Sequence, residues 1–102
     1  MKINTIETKE ILEFEKEIGH ELVANTRPIH SEFKTFYVNF KSCEQIDKTI
    51  LRSIVGDGNT IDSALKDYCK QVSCRMMVFN AFGSNRREVL FPKLIHTKLL
   101  KK

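Results

Sequence analysis

The sequence predicts an α+β fold in which two helices pack on a small, mostly antiparallel sheet with one parallel crossover, in the order α-β-β-α-β-β. Two segments repeat apolar residues at helical spacing, and four shorter segments have the composition of strands. Because a helix separates the second strand from the third, a right-handed crossover between parallel strands becomes available.

The first helix is predicted at residues 8–25, with glutamates on the face opposite its apolar stripe. Gly19 weakens the interior of this helix by about 1 kcal/mol relative to alanine, which predicts a bend or fraying there. Pro28 ends the segment because it disfavours helical backbone at the residue before it. The apolar stripe consists of Ile11, Phe14, Ile18 and Leu22.

Two strands are predicted before the second helix, at residues 33–42 and 49–55, and a polar connection at 44–48 makes them a hairpin. The first strand alternates apolar and polar residues, so one of its faces should be buried. The second strand carries apolar groups on both faces. The apolar residues that alternate along the first strand are Phe36, Val38 and Phe40.

A glycine-containing turn followed at once by an amphipathic helix is the clearest local unit in the chain. Gly56 and Gly58 give the turn access to positive φ, and either Asn59 or Thr60 can cap the helix by accepting a first-turn amide. Asp62 adds a negative charge where the helix dipole favours one. The apolar stripe of this helix is Ile61, Ala64, Leu65, Tyr68 and Val72.

After the second helix, residues 75–82 form an apolar run without alternation, which predicts a strand buried on both faces that can pair parallel to an earlier strand. The period of this run also allows a helix segment as the alternative. Residues 83–85 are a tight turn, and residues 86–91 are a fourth strand that Pro92 ends or confines to a sheet edge. The last ten residues form a short extension that either packs or frays.

The charge of the chain is divided between its ends. Residues 1–26 hold three lysines and six glutamates, whereas residues 68–102 hold eight cations and only Glu88. This division either steers an anionic partner to the basic end or lets the two ends attract each other. We expect a single domain over residues 1–102. Its parts are an acidic helix and linker at 1–28, a core at 33–92 and a basic tail at 93–102.

The composition predicts a cytoplasmic protein without a disulfide framework. Three cysteines, Cys43, Cys69 and Cys74, make an odd count and have no metal-ligand spacing with histidine, so they read as reduced thiols. No apolar run approaches the length of a membrane span, and the N-terminus lacks the apolar region of a signal peptide. We therefore expect no membrane partner.

Catalysis has little support in the sequence, and we expect no catalytic residue, no metal and no cofactor. Cys43 would need a spatial histidine partner to act as a nucleophile, and Gly56-x-Gly58 lacks the remaining residues of a phosphate loop. No carboxylate lies at an inward strand position. The histidines, His20, His30 and His96, are isolated from one another in sequence and read as solvated or hydrogen-bonded side chains.

The basic end is the best candidate for a binding site. Its cations could engage phosphates or carboxylates through forked hydrogen bonds, and the phenylalanines between them, Phe79, Phe82 and Phe91, could stack on unpaired bases or belong to the core. The acidic helix is a second candidate face. The candidate binding residues are Arg75, Arg86, Arg87 and Lys93 at the basic end, and Glu10, Glu13 and Glu17 on the helix.

Two groups of short motifs carry a resemblance to known families. Gly58-Asn59-Thr60, followed by Asp62, Ala64 and Leu65, resembles an element of HicB-type antitoxins, which have a partial RNase H-like fold. The segments at 37–40 and 78–88 are similar to those of small phage-encoded proteins. The resemblance covers residues 36–92 and implies a non-enzymatic role, because the active-site carboxylates of RNase H enzymes are absent.

These observations predict a non-enzymatic, phage-type interaction module that acts stoichiometrically. It would inhibit a host nucleic-acid-handling enzyme in the manner of an anti-CRISPR protein or an antitoxin, in the cytoplasm of the host cell. Its expected partner is a host protein or ribonucleoprotein. The alternative is direct RNA or DNA binding through the basic C-terminal hairpin. A homodimer is also compatible with the sequence.

Overall fold

A computed structural model describes residues 7–28 and 32–97 of the chain. Within these residues two helices and nine strands form an α+β fold with mostly antiparallel sheets and one parallel pair, which confirms the predicted fold class. The elements are β1 Thr8–Glu10, α1 Ile11–Ile18, β2 Leu22–Thr26, β3 Phe36–Phe40, β4 Cys43–Asp47, β5 Ile50–Arg52, β6 Gly56–Gly58, α2 Ile61–Val72, β7 Met76–Phe79, β8 Arg87–Leu90 and β9 Lys93–Ile95.

The strands of the described residues form three sheets. One has the order β2-β3-β6 and another the order β5-β4-β7-β8, and all neighbours in both are antiparallel. The third is the parallel pair of β1 and β9. The predicted position of the parallel pairing, at residues 75–82, was wrong, because β7 runs antiparallel to both β4 and β8. The parallel pair instead joins β1 and β9, near the two ends of the described chain.

The first helix is shorter than the apolar spacing predicts. It ends at Ile18 because Gly19 adopts a left-handed conformation with φ of 74° and donates its N–H to the carbonyl of Glu15. The residues that follow form β2, which pairs with β3, so the predicted continuation of the helix to residue 25 was wrong. A glycine expected to weaken the helix therefore terminates it.

The segment between β3 and β5 also differs from the prediction. Residues 44–48, expected as a polar connection, lie mostly in β4, which pairs with β5 and with β7. Turns at Ser42 and Lys48, with φ of 57° and 59°, place this polar segment inside the sheet. The alternation predicted along β3 is confirmed, since Val38 and Phe40 are buried and the intervening Asn39 is half-buried.

Helix α2 packs directly on β6, and two glycines make this approach possible. A Cβ atom at Gly58 would lie 2.2 Å from Oγ of Ser63, and one at Gly56 would lie 2.3 Å from the carbonyl oxygen of Ala64. Neither glycine has a positive φ, so their predicted role as positive-φ turn residues was wrong. Their function is to let the helix and strand backbones approach each other.

The core lies between α1, α2 and the inner faces of the two larger sheets. Four phenylalanine rings pack at its centre, with ring centroids of Phe14 and Phe91 5.0 Å apart and those of Phe40 and Phe79 5.8 Å apart, both edge to face. The other buried apolar residues of this core are Ile11, Val38, Cys43, Ala64, Leu65, Tyr68, Cys69, Val72, Met77 and Leu94.

Candidate partner-binding surface

The hairpin of β7 and β8 carries the most exposed apolar side chain of the described residues. Phe82 lies in the hairpin tip, residues 80–86, and is 91% exposed. Asn80, at a φ of 56°, donates its N–H to the carbonyl of Ser42 and accepts the N–H of Gly83, both at 2.9 Å. The tip is therefore hydrogen-bonded to the turn between β3 and β4. These hydrogen bonds fix the backbone on which Phe82 is exposed.

The three phenylalanines of the basic end have different environments. Phe79 and Phe91 are buried in the aromatic core and are inaccessible to a ligand. Phe82 alone of the three reaches solvent, beside a shallow depression of about 300 Å³ between the tip and β4. Among these aromatic residues, only Phe82 can contact a partner.

Arg86 lies in the same hairpin tip as Phe82 and remains partly exposed. Its Nη2 atom is 3.0 Å from Oε2 of Glu88, and 43% of its side chain is exposed. Its other guanidinium nitrogen lies 3.5 Å from the carbonyl oxygen of Ala81, across the tip. An ion pair at this exposure is weak, so Arg86 can exchange Glu88 for an anionic group on a partner.

Arg87 has an intramolecular role. Its guanidinium donates a hydrogen bond of 2.9 Å to the carbonyl of Ile18, the last residue of α1, and lies 5.7 Å from the centroid of Phe79. A cation at this end of a helix also interacts favourably with the helix dipole. Arg87 therefore joins the acidic helix to the basic hairpin.

His20 completes this junction. Its ring stacks on Phe79 with centroids 3.7 Å apart and an interplanar angle of 9°. Burial and then the positive charge of Arg87 lower the pKa of His20 below its ordinary value. The neutral ring is therefore the form that fits this position.

The four predicted cations do not form one patch. Arg75 lies opposite Phe91, whose N–H it accepts, whereas Arg87 lies opposite Phe79. These positions are four residues apart along β7, or about 13 Å. Lys93 begins β9 at the same end of the hairpin as Arg75. Two cations thus lie at each end of the hairpin.

The three predicted glutamates are also dispersed. The carboxylate of Glu10 accepts hydrogen bonds from the backbone N–H of Thr97, at 3.0 Å, and from its hydroxyl, at 2.6 Å. Glu17 forms an ion pair of 2.6 Å with Lys9. Glu13 lies exposed in the first turn of α1. Glu10 therefore holds the two ends of the described chain together, whereas Glu13 and Glu17 face solvent.

The cysteines have two kinds of environment. Burial raises the pKa of both Cys43 and Cys69 to about 12, so neither thiol ionises appreciably at neutral pH. Cys43 lies beside the hydroxyl of Tyr68, which accepts the N–H of Phe40 at 3.2 Å. Burial also raises the pKa of Tyr68. Cys74 is exposed at the turn between α2 and β7.

The sequence did not predict the contact between His96 and Asp62. Nε2 of His96 lies 2.8 Å from Oδ1 of Asp62, and the imidazole is fully buried. Nδ1 of His96 has no hydrogen-bond partner among the described residues. The two positions are 34 residues apart, so only the packing of β9 on the start of α2 brings them together. His30, the third histidine, lies outside the described residues.

Within residues 7–28 and 32–97, no three His, Cys, Asp or Glu side chains lie close enough together to hold a metal ion. None of the helices in these ranges has the length and apolar character needed to cross a bilayer.

The chain was compared with known protein families, curated proteins and solved structures. No match was found in any of the three comparisons. The likeness to HicB-type antitoxins therefore stays a prediction that rests on short motifs.

Proposed function

We propose that this protein is a non-enzymatic binding module that acts stoichiometrically on a partner protein through the tip of its β7–β8 hairpin. The exposed ring of Phe82 carries this proposal, because it is 91% exposed on a tip that hydrogen bonds hold in place. Aromatic side chains and arginines are the residues that most often dominate protein interfaces, and the partly exposed Arg86 belongs to the same tip.

The remaining reactive groups support a non-catalytic role. The thiols of Cys43 and Cys69 are buried with raised pKa values, and the imidazole of His96 is fully buried against Asp62. None of these groups can reach a substrate in solution. A nucleophile and its general base would have to be accessible and within hydrogen-bond reach of each other.

The partner class that we propose is a host enzyme or ribonucleoprotein that handles nucleic acid. The motif resemblance to small phage-encoded proteins supports this class. The basic C-terminal third of the chain also supports it, because its charge complements an acidic protein surface or bound nucleic acid on such a partner. Binding at the tip would inhibit the enzyme by occluding its substrate path.

The test is affinity purification from a bacterial host lysate with the full chain as bait, followed by titration of the purified partner. We expect one nuclease or ribonucleoprotein to be retained and its activity to fall to zero at a one-to-one ratio. Phe82→Ser should abolish retention. Phe33→Ser is the matched control, since Phe33 is 74% exposed on another part of the surface, and it should retain the partner.

Failure to retain any nucleic-acid-handling protein, or equal retention by wild type and Phe82→Ser, would reject the proposal. Because Phe82 is exposed, the variant should unfold at the same temperature as wild type, which circular dichroism can check. This measurement separates a lost contact from a lost fold.

Direct RNA or DNA binding is the competing function. Arg86 favours it as a partly exposed guanidinium in the same hairpin tip as an exposed aromatic ring. It predicts an affinity that falls steeply with salt and is lost when Arg86→Ala and Arg87→Ala are combined. Fluorescence anisotropy with labelled single-stranded RNA and DNA across a salt series measures this, and salt-independent or absent binding would exclude it.

A further inference from the structure

Strand β8 is an edge strand with unused hydrogen-bonding groups. Among the described residues it pairs with β7 alone. Phe91 donates its backbone N–H to Arg75, which makes that position a hydrogen-bonded pair of the antiparallel ladder. Because such pairs alternate, Val89 also points its N–H and C=O toward β7. Glu88 and Leu90 therefore point theirs away from the sheet.

We propose that this edge is an interface between two copies of the chain. The two β8 strands pair antiparallel about a two-fold axis at Val89 and join the two four-stranded sheets into one sheet of eight strands. Glu88 of each copy then lies opposite Leu90 of the other. All four outward N–H and C=O groups of each copy are used in this register.

The neighbouring registers are worse for physical reasons. An axis at Glu88 would place the two Glu88 carboxylates directly opposite each other, which is destabilising in an antiparallel pair. An axis at Leu90 would require Pro92 to donate a backbone hydrogen bond, and proline has no N–H. The residues of β8 thus select the register centred on Val89.

The side chains on both faces of the edge suit a second copy of the chain. On the inner face, the edge groove between α1 and β8 has a volume of about 480 Å³ and is lined by Phe14, Ile18 and Val89 together with polar residues. Val89 of the second copy would enter this groove. The polar residues that line the groove are Glu17, Arg87 and Glu88.

On the outer face, Leu90 is 64% exposed and its cross-strand neighbour Met76 is 39% exposed. Pairing brings the two Leu90 side chains into diagonal contact, about 7 to 8 Å apart at Cα. When no partner occupies the tip, Glu88 pairs with Arg86 in its own chain, so association does not separate this carboxylate from its cation. The interface therefore removes exposed apolar surface from solvent and keeps the ion pair between Glu88 and Arg86.

The dimer also has a geometric consequence for the hairpin tips. Arg86 lies three residues from the axis at Val89, so the two Arg86 residues are separated by six residue steps, or about 20 Å. The dimer would present its two tips at opposite ends of the joined edge. This arrangement holds whether or not the tip binds a partner protein.

Light scattering coupled to gel filtration tests the dimer, using the full chain under reducing conditions so that Cys74 cannot cross-link it. Wild type should have twice the mass of one chain at high micromolar concentration, and Leu90→Lys should have the mass of one chain. Ile50→Lys is the matched control, because Ile50 is a 55% exposed apolar residue on β5, the other edge of the same sheet, and this variant should stay dimeric.

A monomeric wild type at every concentration, a dimeric Leu90→Lys, or a monomeric Ile50→Lys that is folded by circular dichroism would overturn the proposal.

The register has its own test in a Cys74→Ser background. Residues facing each other at a non-hydrogen-bonded antiparallel pair have Cα atoms about 4.5 Å apart, within the range of a disulfide. Val89→Cys with oxidised glutathione should give a covalent dimer, and Ile50→Cys should not. The absence of a Val89→Cys dimer would overturn the register.

Discussion

Thr60 closes the N-terminus of α2 through reciprocal hydrogen bonds. Its hydroxyl accepts the N–H of Ser63 at 3.1 Å, and its own N–H donates to the hydroxyl of Ser63 at 3.1 Å. From the sequence, Asn59 and Thr60 were equivalent candidates for this cap. The structure selects Thr60, with extended backbone at φ of −134° and ψ of 162°.

We therefore expect Thr60→Ala to lower the free energy of unfolding by about 1 kcal/mol, because a first-turn amide loses its acceptor. Asn59→Ala serves as the control and should change stability by less than about 0.5 kcal/mol, the range of ordinary surface substitutions. Urea denaturation of both variants gives the two values. Equal losses would mean that Thr60 is not the cap.

His20 is the residue for which the structure predicts a pH effect. Its pKa is lowered in the folded state from the ordinary 6.5, so the unfolded chain binds the proton first as the pH falls. The contribution of this residue to stability is complete above the unfolded pKa and is lost as the pH falls below about 6.5 toward the folded pKa.

The measurement is the unfolding free energy of wild type and of His20→Phe between about pH 7.5 and pH 5. His20→Phe keeps an aromatic ring on Phe79 but cannot ionise. Wild type should lose stability relative to this variant as the pH falls, and the other histidines cancel because both proteins have them. Parallel pH profiles would show that protonation of His20 has no effect on folding.

At the scale of elements, α1 and the β7–β8 hairpin are joined by a contact of Arg87. The acidic helix ends where Arg87 reaches its last carbonyl, that of Ile18. The guanidinium of Arg87 therefore lies at the negative end of the α1 helix dipole. Arg86, one residue earlier in the chain, pairs with Glu88 instead.

Neighbouring arginines should consequently differ in their effect on stability. Arg87→Gln is expected to cost about 0.5 to 1 kcal/mol, because a solvent-exposed charged hydrogen bond and a helix-end interaction are lost together. Arg86→Gln removes only an exposed ion pair and should cost less than about 0.5 kcal/mol. Thermal and urea unfolding of the two variants provide the comparison, and the reverse order would contradict the assigned roles.

At the scale of the whole molecule, the fold is closed by contacts between distant parts of the chain. Strand β9 pairs parallel with β1, and Thr97 bonds to Glu10 across 87 positions. His96, just after β9, is buried against Asp62 at the start of α2. The last segment of the described chain is thus fixed to β1 and to α2.

Removing the partner of His96 should weaken this closure. Asp62→Ala leaves a buried imidazole nitrogen without its hydrogen bond and should lower the free energy of unfolding by about 1 to 3 kcal/mol. In a His96→Phe background the same substitution should cost less, because the hydrogen bond between the two side chains is already absent. A double-mutant cycle by urea denaturation measures the difference. Additive effects would show that the pair is not coupled.

The sequence by itself determined those features whose causes lie within a few residues of each other. The amphipathic stripe of α2, its N-terminal cap, the alternation along β3 and the end of β8 before Pro92 follow from propensity, capping and the geometry of proline. These local signals were sufficient to predict the α+β class and the hairpin at which the candidate site lies.

Only the tertiary structure decided features that depend on distant parts of the chain. Gly19 ends α1 where the apolar spacing continues, because the next residues gain more by pairing with β3. Phe79 is buried and Phe82 is exposed, although both are phenylalanines in one basic segment. Strand pairing and burial are set by residues far away in sequence, so a local pattern cannot assign the partner of a strand or the environment of a side chain.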